Sequence, residues 1–240
     1  GGVATSAGEG SPLNKVAGLG FGGVPDEGRL CEIEALYAQR HCAVQVELSI
    51  LADPAIAAML TRRGYVLTGF ENVLGLGLPG GPASRPSDGI VVKRCDNSDL
   101  ETWIDVTLSS FDTPDTQGVP SHETLERRVL EDIMRDMAAA TGFIRYLAFR
   151  GETPAGGCSM RMCSGIAQLC GAGTLPEHRR RGVQSAMLAV RLREAVSAGC
   201  DIAVVTTLPG SKSHENVQKL GFELLYTRAV LVRAEMRNSS

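Results

Sequence analysis

Three consecutive arginines and a glycine open a helical pattern in the segment Thr174-Leu-Pro-Glu-His-Arg-Arg-Arg-Gly-Val-Gln-Ser-Ala-Met-Leu188. The first N–H groups of a helix have no intrahelical acceptor and carry partial positive charge, so such a junction suits an anion. Gly182 lets main chain approach a phosphate closely. Arg179, Arg180 and Arg181 add fixed charge and paired donors. Together they point to the holding of a diphosphate. The spacing is neither the Gly-x-x-x-x-Gly-Lys-Ser/Thr of a P-loop nor the Gly-x-Gly-x-x-Gly of a dinucleotide fold. An isolated arginine tripeptide is ordinarily a solvated helix cap; its place between a strand and a helix favours the anion here.

The remaining reactive side chains are sparse. Seven cysteines (Cys31, Cys42, Cys95, Cys158, Cys163, Cys170 and Cys200) are odd in number and lack the paired short spacings of zinc sites, and the four histidines are scattered. Free thiols and no metal are expected. A net charge of -3 with 21% charged and 43% apolar residues gives no broad basic field, so neither nucleic acid nor an anionic membrane is an expected partner. With no run of about 18 apolar residues, no spanning helix is expected, and the reading is a soluble, cytoplasmic chain, monomer or homodimer.

The elements that must position the arginine turn follow from pattern. Residues 78–88, rich in Gly, Pro and Ser, read as a break between two lobes. Beyond it the pattern predicts a strand over 89–94, helices over 98–111 and 121–141, and strands over 143–150, 156–163 and 166–175. Gly151-Glu-Thr-Pro-Ala-Gly156 reads as the hairpin loop between the first two of these three strands. A helix over 180–199 is expected to bury Val183, Met187, Val190 and Leu192 and to expose Arg191, Arg193 and Glu194. A buried strand over 202–207, a helix over 211–220 ended by Gly221, and a strand over 223–233 complete an α/β order.

The two lobes repeat one another. An offset of 157 places Gly64-Tyr65 on Gly221-Phe222, Val44–Ser49 on Asp201–Thr206, Val73-Leu74 on Val230-Leu231, and Arg29–His41 on Ala186–Ala198. At that offset Gly1 falls on Cys158, so either the chain continues N-terminally or its first lobe is abridged. The arginine turn corresponds to Gly22-Gly-Val-Pro-Asp-Glu-Gly28, where Asp26 and Glu27 repel phosphate and Pro25 lacks an N–H. One anion site, in the second lobe, is therefore expected.

On these residues the chain resembles the GNAT superfamily of N-acetyltransferases, whose signature Gln/Arg-x-x-Gly-x-Gly/Ala reads here Arg179-Arg-Arg-Gly182-Val-Gln184. The likeness extends over about residues 89–235 through the element order, Thr174-Leu-Pro176 and Asn216-x-x-x-x-Gly221-Phe222. Gln184 departs from the Gly or Ala of the signature.

The resemblance implies a mixed, largely antiparallel central sheet with helices on both faces, over 89–236. A linker at 79–88 and a partial, degenerate GNAT-like lobe without a coenzyme A site, over 1–78, would precede it. It implies acetyl-CoA as co-substrate, with its pyrophosphate on the main chain of Arg181, Gly182, Val183, Gln184 and Ser185 beside Arg179 and Arg180. The pantetheine would lie along Gly173, Thr174 and Leu175, in a cleft where two strands part. A neutral amine of a small molecule or peptide would then attack the thioester. The family's tyrosine four residues before Gly-Phe falls on Val217. Tyr226 is therefore the candidate acid, and Asn216, with Ser213 and His214 on the same helix, the candidate polar contact to cofactor or active site. The loop 112–120, with Asp112 and Asp115, is the expected selector of the acceptor. A non-catalytic acyl-CoA-binding or sensing module is the alternative, and acyl transfer to a hydroxyl a third.

Overall fold

The computed structural model describes residues 2–7, 11–78, 89–113 and 126–233. The expected linker at 79–88, the first residues of the helix expected from 121, and 114–120 of the expected selector loop lie outside them. The chain divides into two compact units, one of Gly1–Val73 with Leu224–Ser240, the other Leu74–Glu223.

The first unit begins with β1 (Val3–Thr5), β2 (Lys15–Leu19) and α1 (Glu27–Gln39), followed by β3 (Val44–Ser49), α2 (Pro54–Arg62) and β4 (Val66–Gly77), whose last residues enter the second unit. α2 starts where Asp53 accepts from the Ala55 amide at 2.9 Å and Pro54 supplies a preset φ. It stops at Gly64, whose φ of +82° lets the Tyr65 amide turn back to the Leu60 carbonyl. Leu30, Tyr37, Val46, Ile56 and Leu60 fill the core.

In the second unit, β5 (Ile90–Arg94), α3 (Leu100–Asp112) and α4 (Arg127–Ala139) precede β6 (Phe143–Arg150), β7 (Thr153–Cys163) and β8 (Ile166–Thr174). A 3-10 turn at Pro176–His178 leads to α5 (Val183–Ser197), β9 (Ile202–Thr207) and α6 (Lys212–Gln218). β10 (Glu223–Arg233) then returns to the first unit. The fold is α/β, with an open sheet that mixes parallel pairs (β2 with β3, β8 with β9) and antiparallel ones, and with six helices among the described residues.

Small residues set the helix positions on the second unit's sheet. A Cβ on Gly157 would lie 2.2 Å from the Thr107 hydroxyl and one on Gly173 1.5 Å from that of Ser110, so α3 sits directly on these strands. A Cβ on Gly156 would press on Val183 and Met187 of α5 on the opposite face. Trp103 of α3 is buried and donates from Nε1 to the Cys158 carbonyl at 3.0 Å.

Each unit is closed by a strand that follows the other's last helix. The first unit's order is β1-β2-β3-β10-β4, and the second's is β4-β9-β8-β7-β6-β5. Arg228 of β10 meets the buried Glu47 at 2.5 Å and Glu71 at 2.7 Å, while Arg233 pairs with the buried Glu34, which also holds Arg63 and Tyr65.

Three expectations are corrected. The hairpin loop shrinks to Gly151-Glu152, because Pro154 joins β7 at a bulge opposite Ala148 and Phe149, where its missing N–H is tolerated. α5 starts at Val183 rather than 180, since Arg180 and Gly182 take left-handed φ values of +59° and +81°. Arg191 is buried, 4% exposed, instead of facing solvent.

Candidate active site

The arginine turn joins the end of β8 to the start of α5. The first hydrogen bond of α5 runs from the Ala186 amide to the Gly182 carbonyl at 2.9 Å. The amides of Val183, Gln184 and Ser185 therefore precede the helical ladder and have no acceptor among the described residues. Arg180 and Gly182 take left-handed φ values, and turns of that kind can bring successive N–H groups together in a form suited to anions. The side chains of Arg180 and Arg181 are exposed beside it.

Arg179 does different work. Its amide donates to the Pro176 carbonyl, and its guanidinium donates to the carbonyls of Thr174 (3.2 Å), Ser110 (3.1 Å) and Thr113. It fastens the turn to the end of β8 and to the C-terminus of α3, where a cation is favoured by the helix dipole. Its expected charge for a diphosphate is thus directed inward.

Upstream of the turn, β8 pairs with β7 as far as Thr174 but with β9 only from Ile166 to Leu169, against Ile202 to Val205. Over 170–174 one edge of β8 has no strand partner among the described residues. Leu175, expected to offer main chain to a pantetheine, has both groups engaged: its amide with the Ala155 carbonyl, its carbonyl with the His178 amide. Strand alternation then turns the Gly173 amide toward β7 and the Thr174 amide toward the open edge. A register shift between Cys158 and Ser159 on β7 puts a bulge in β8 at Gly171, φ +25°. The geometry supplies a row of main-chain groups along an open edge that leads to the arginine turn.

α6 borders both parts. Asn216 donates from Nδ2 to Gln184 Oε1 at 3.1 Å, and the ring Nδ1 of His214 lies 3.1 Å from the hydroxyl of the buried Thr207, at the end of β9. Val217 is buried in the core, and Ser213 is exposed. Tyr226 belongs to the first unit, half-buried and edge-on to Phe21 with centroids 6.1 Å apart. Asp112 pairs with Arg127 at 2.8 Å, so its charge is already partly met, and Asp115 lies outside the described residues. Among the described residues no three His, Cys, Asp or Glu side chains gather as a metal site, and no helix is long and apolar enough to cross a membrane.

Residues 105–222, which span α3 to Phe222, match the model of the acetyltransferase (GNAT) family. The matched stretch is just under half of the chain. The turn, the open edge of β8 and α6 all lie within the matched residues. The whole chain is similar in fold to a GCN5-related N-acetyltransferase from Kribbella flavida, at 18% identity and TM-score 0.69, with 93% of this chain and 82% of that one covered. It is similar also to a functionally unknown conserved protein from Staphylococcus epidermidis, at 8% identity and TM-score 0.67, covering 93% and 86%. A tandem GNAT protein from the clavulanic acid biosynthesis pathway matches at 12% identity and TM-score 0.63, covering 95% and 77%. At these identities the likeness is one of fold. No curated protein matches the sequence.

Two features near the turn were not read from the sequence: the bulge at Gly171 and the burial of Arg191. The Gly171-Ala-Gly173 run inside a β-prone stretch was the available sign of the bulge. Arg191 gave no sign, since its partners are main-chain carbonyls.

Proposed function

We propose that the chain transfers an acetyl (acyl) group from acetyl-CoA to an amine of a small molecule or peptide. The observation that carries this reading is a continuity of donors without a partner among the described residues: the open edge of β8 over 170–174, then the amides of Val183, Gln184 and Ser185. A thioester linked to a diphosphate through an extended chain fits that succession. Arg180, Arg181 and the α5 amides hold the diphosphate, and the amides turned to the open edge of β8 meet the carbonyl oxygen as negative charge grows on it. Coenzyme A supplies the activated acyl carbon. The amine nitrogen bonds to that carbon, the C–S bond breaks, and the proton lost by nitrogen goes to water or to the departing thiolate. Release of free thiol from acetyl-CoA across a panel of amines tests the proposal; absence of release with every amine contradicts it.

A second reading, a non-catalytic acyl-CoA-binding or sensing module, is favoured by one observation. Val217, the position of the family's acid, is packed in the core and has no proton to give. Tight acyl-CoA binding without turnover would select it.

We also propose that the chain is a tandem of two GNAT-like lobes, 1–78 and 89–236, joined at 79–88. The offset of 157 carries α1 to 184–196 and β3 to 201–206, beside α5 and β9, and carries α2 to 211–219 and β4 to 223–234, beside α6 and β10. The first lobe holds no coenzyme A. At the start of α1 the Asp26 carboxylate accepts from the Arg29 amide at 3.2 Å and Pro25 has no N–H, so negative charge stands where an anion would sit and fewer donors are left for it.

A further inference from the structure

Arg191 is a buried cation without a carboxylate within ion-pair distance among the described residues. Its donors go to three main-chain carbonyls. Nε reaches Met187 at 3.2 Å, one turn back in α5, and Nη1 reaches Ser159 at 3.1 Å and Cys170 at 3.5 Å. Ser159 and Cys170 are the pair at which the β7–β8 register shifts. Burying a charge without a counter-ion is costly, so this guanidinium is an unusual choice for what a leucine would fill.

Its position gives it an electrostatic consequence. A trans peptide carries its C=O and N–H on opposite sides, and no cis peptide occurs among the described residues. The Cys170 carbonyl points toward β7, where it accepts from the Ser159 hydroxyl at 3.2 Å as well as from Arg191. The N–H of the same peptide unit, that of Gly171, therefore points to the opposite edge. There β9 no longer pairs, and Gly171 is exposed. A cation on the carbonyl of a peptide draws electron density from its N–H and makes that N–H a stronger donor, the more so where the dielectric is low.

We propose that Arg191 is a positioning residue for acyl transfer: from behind the bulge it fixes the Cys170–Gly171 peptide and polarises it, so that the Gly171 N–H grips the thioester carbonyl oxygen as that oxygen becomes an oxyanion. This rests on the acetyl-CoA reading above and adds to it the donor and the charge that strengthens the donor. No covalent step passes through Arg191; its proton stays on the guanidinium throughout.

The test is isotope-edited infrared spectroscopy of acetyl-CoA, labelled with carbon-13 at the thioester carbonyl, bound to the full chain and to Arg191→Met and Arg191→Gln. Two variants are used because both remove the charge while filling the volume differently, and replacing a buried ion by an apolar residue of similar size is often tolerated. The expected result is a carbonyl band displaced to lower frequency on binding to the wild type, and a displacement at least halved in each variant that folds. Coenzyme A affinity should stay within about threefold, because the diphosphate turn is untouched, and amine-independent hydrolysis of the thioester should fall by about 10- to 100-fold, the range for loss of part of an oxyanion donor. A band at the wild-type position in either variant overturns the inference, as does an undisplaced band in the wild type. Failure of the wild type to bind acetyl-CoA at all would instead remove the parent reading.

Discussion

Asn216 of α6 donates to the side chain of Gln184, the second residue of α5 and the one signature position that departs from Gly or Ala. The bond accounts for the departure: the longer side chain is held by the neighbouring helix. Asn216→Ala and Gln184→Ala should each weaken coenzyme A binding by no more than about fivefold, with a coupling of about 0.5–1.5 kcal/mol, the net worth of one such bond. Calorimetry on the double-mutant cycle measures it. A loss above a hundredfold in Asn216→Ala alone would show that Asn216 contacts the cofactor directly.

The three arginines of the turn should separate by phenotype. Arg179→Ala loses three carbonyl acceptors and should lower stability by about 1–3 kcal/mol, read by urea denaturation. Arg181→Ala should leave stability within about 0.5 kcal/mol, as exposed substitutions do, while weakening coenzyme A binding more at low salt than at high. Equal stability losses in both would contradict the division of labour.

Much of this architecture was legible beforehand. β6, β9 and β10 occupy the residues that their apolar runs mark, β3 those that the offset of 157 marks, and the strand-to-helix junction at Arg179–Gly182 was found from residue type and spacing alone. What stayed hidden depends on partners brought by the fold. Arg179 read as a ligand for the diphosphate and Arg191 as a solvated cation because a sequence does not show which carbonyls a strand end, a helix terminus or a bulge will present to them. The closing strands β4 and β10 were each readable as strands, but their pairing is decided by Glu47, Glu71 and Glu34 waiting for Arg228 and Arg233.

That ionic attachment should show in the acid limb of stability. Burial pushes the Glu34 carboxyl up, but hydrogen bonds and charge from Arg63 and Arg233 outweigh it and hold the group below the ordinary glutamate value of 4.5. A depressed folded pKa means that the stabilisation is complete well above 4.5 and fades as pH falls through the folded value. Glu34→Gln should therefore be less stable than wild type at pH 7, and the gap should narrow below about pH 4.5. A gap independent of pH in urea titrations would exclude this linkage.

Exchange of closing strands predicts that the second lobe does not stand alone. A fragment of residues 89–240 lacks Leu74, Leu76 and Leu78, which belong to the buried core of the second unit. Burial of each such leucine is worth about 1.5–3 kcal/mol, against a typical domain stability of about 5–15 kcal/mol. The fragment should give a broad, non-cooperative melt. A sharp transition near that of the full chain would contradict the exchange.

The hydroxyl of Tyr226 has no partner among the described residues to orient it, and its ring packs against Phe21. Tyr226→Phe should keep thiol release within about threefold of wild type, since a group without a positioned proton contributes little general acid catalysis. A hundredfold loss would restore Tyr226 as the acid.

Binding of coenzyme A by isothermal titration reaches the central claim most directly. The wild type should bind one equivalent with a Kd in the micromolar range, about −8 kcal/mol. The double variant Arg181→Glu with Gly182→Glu, which sets two negative charges on the α5 amides, should give no measurable heat. An unchanged titration in that variant, or none in the wild type, would contradict the account.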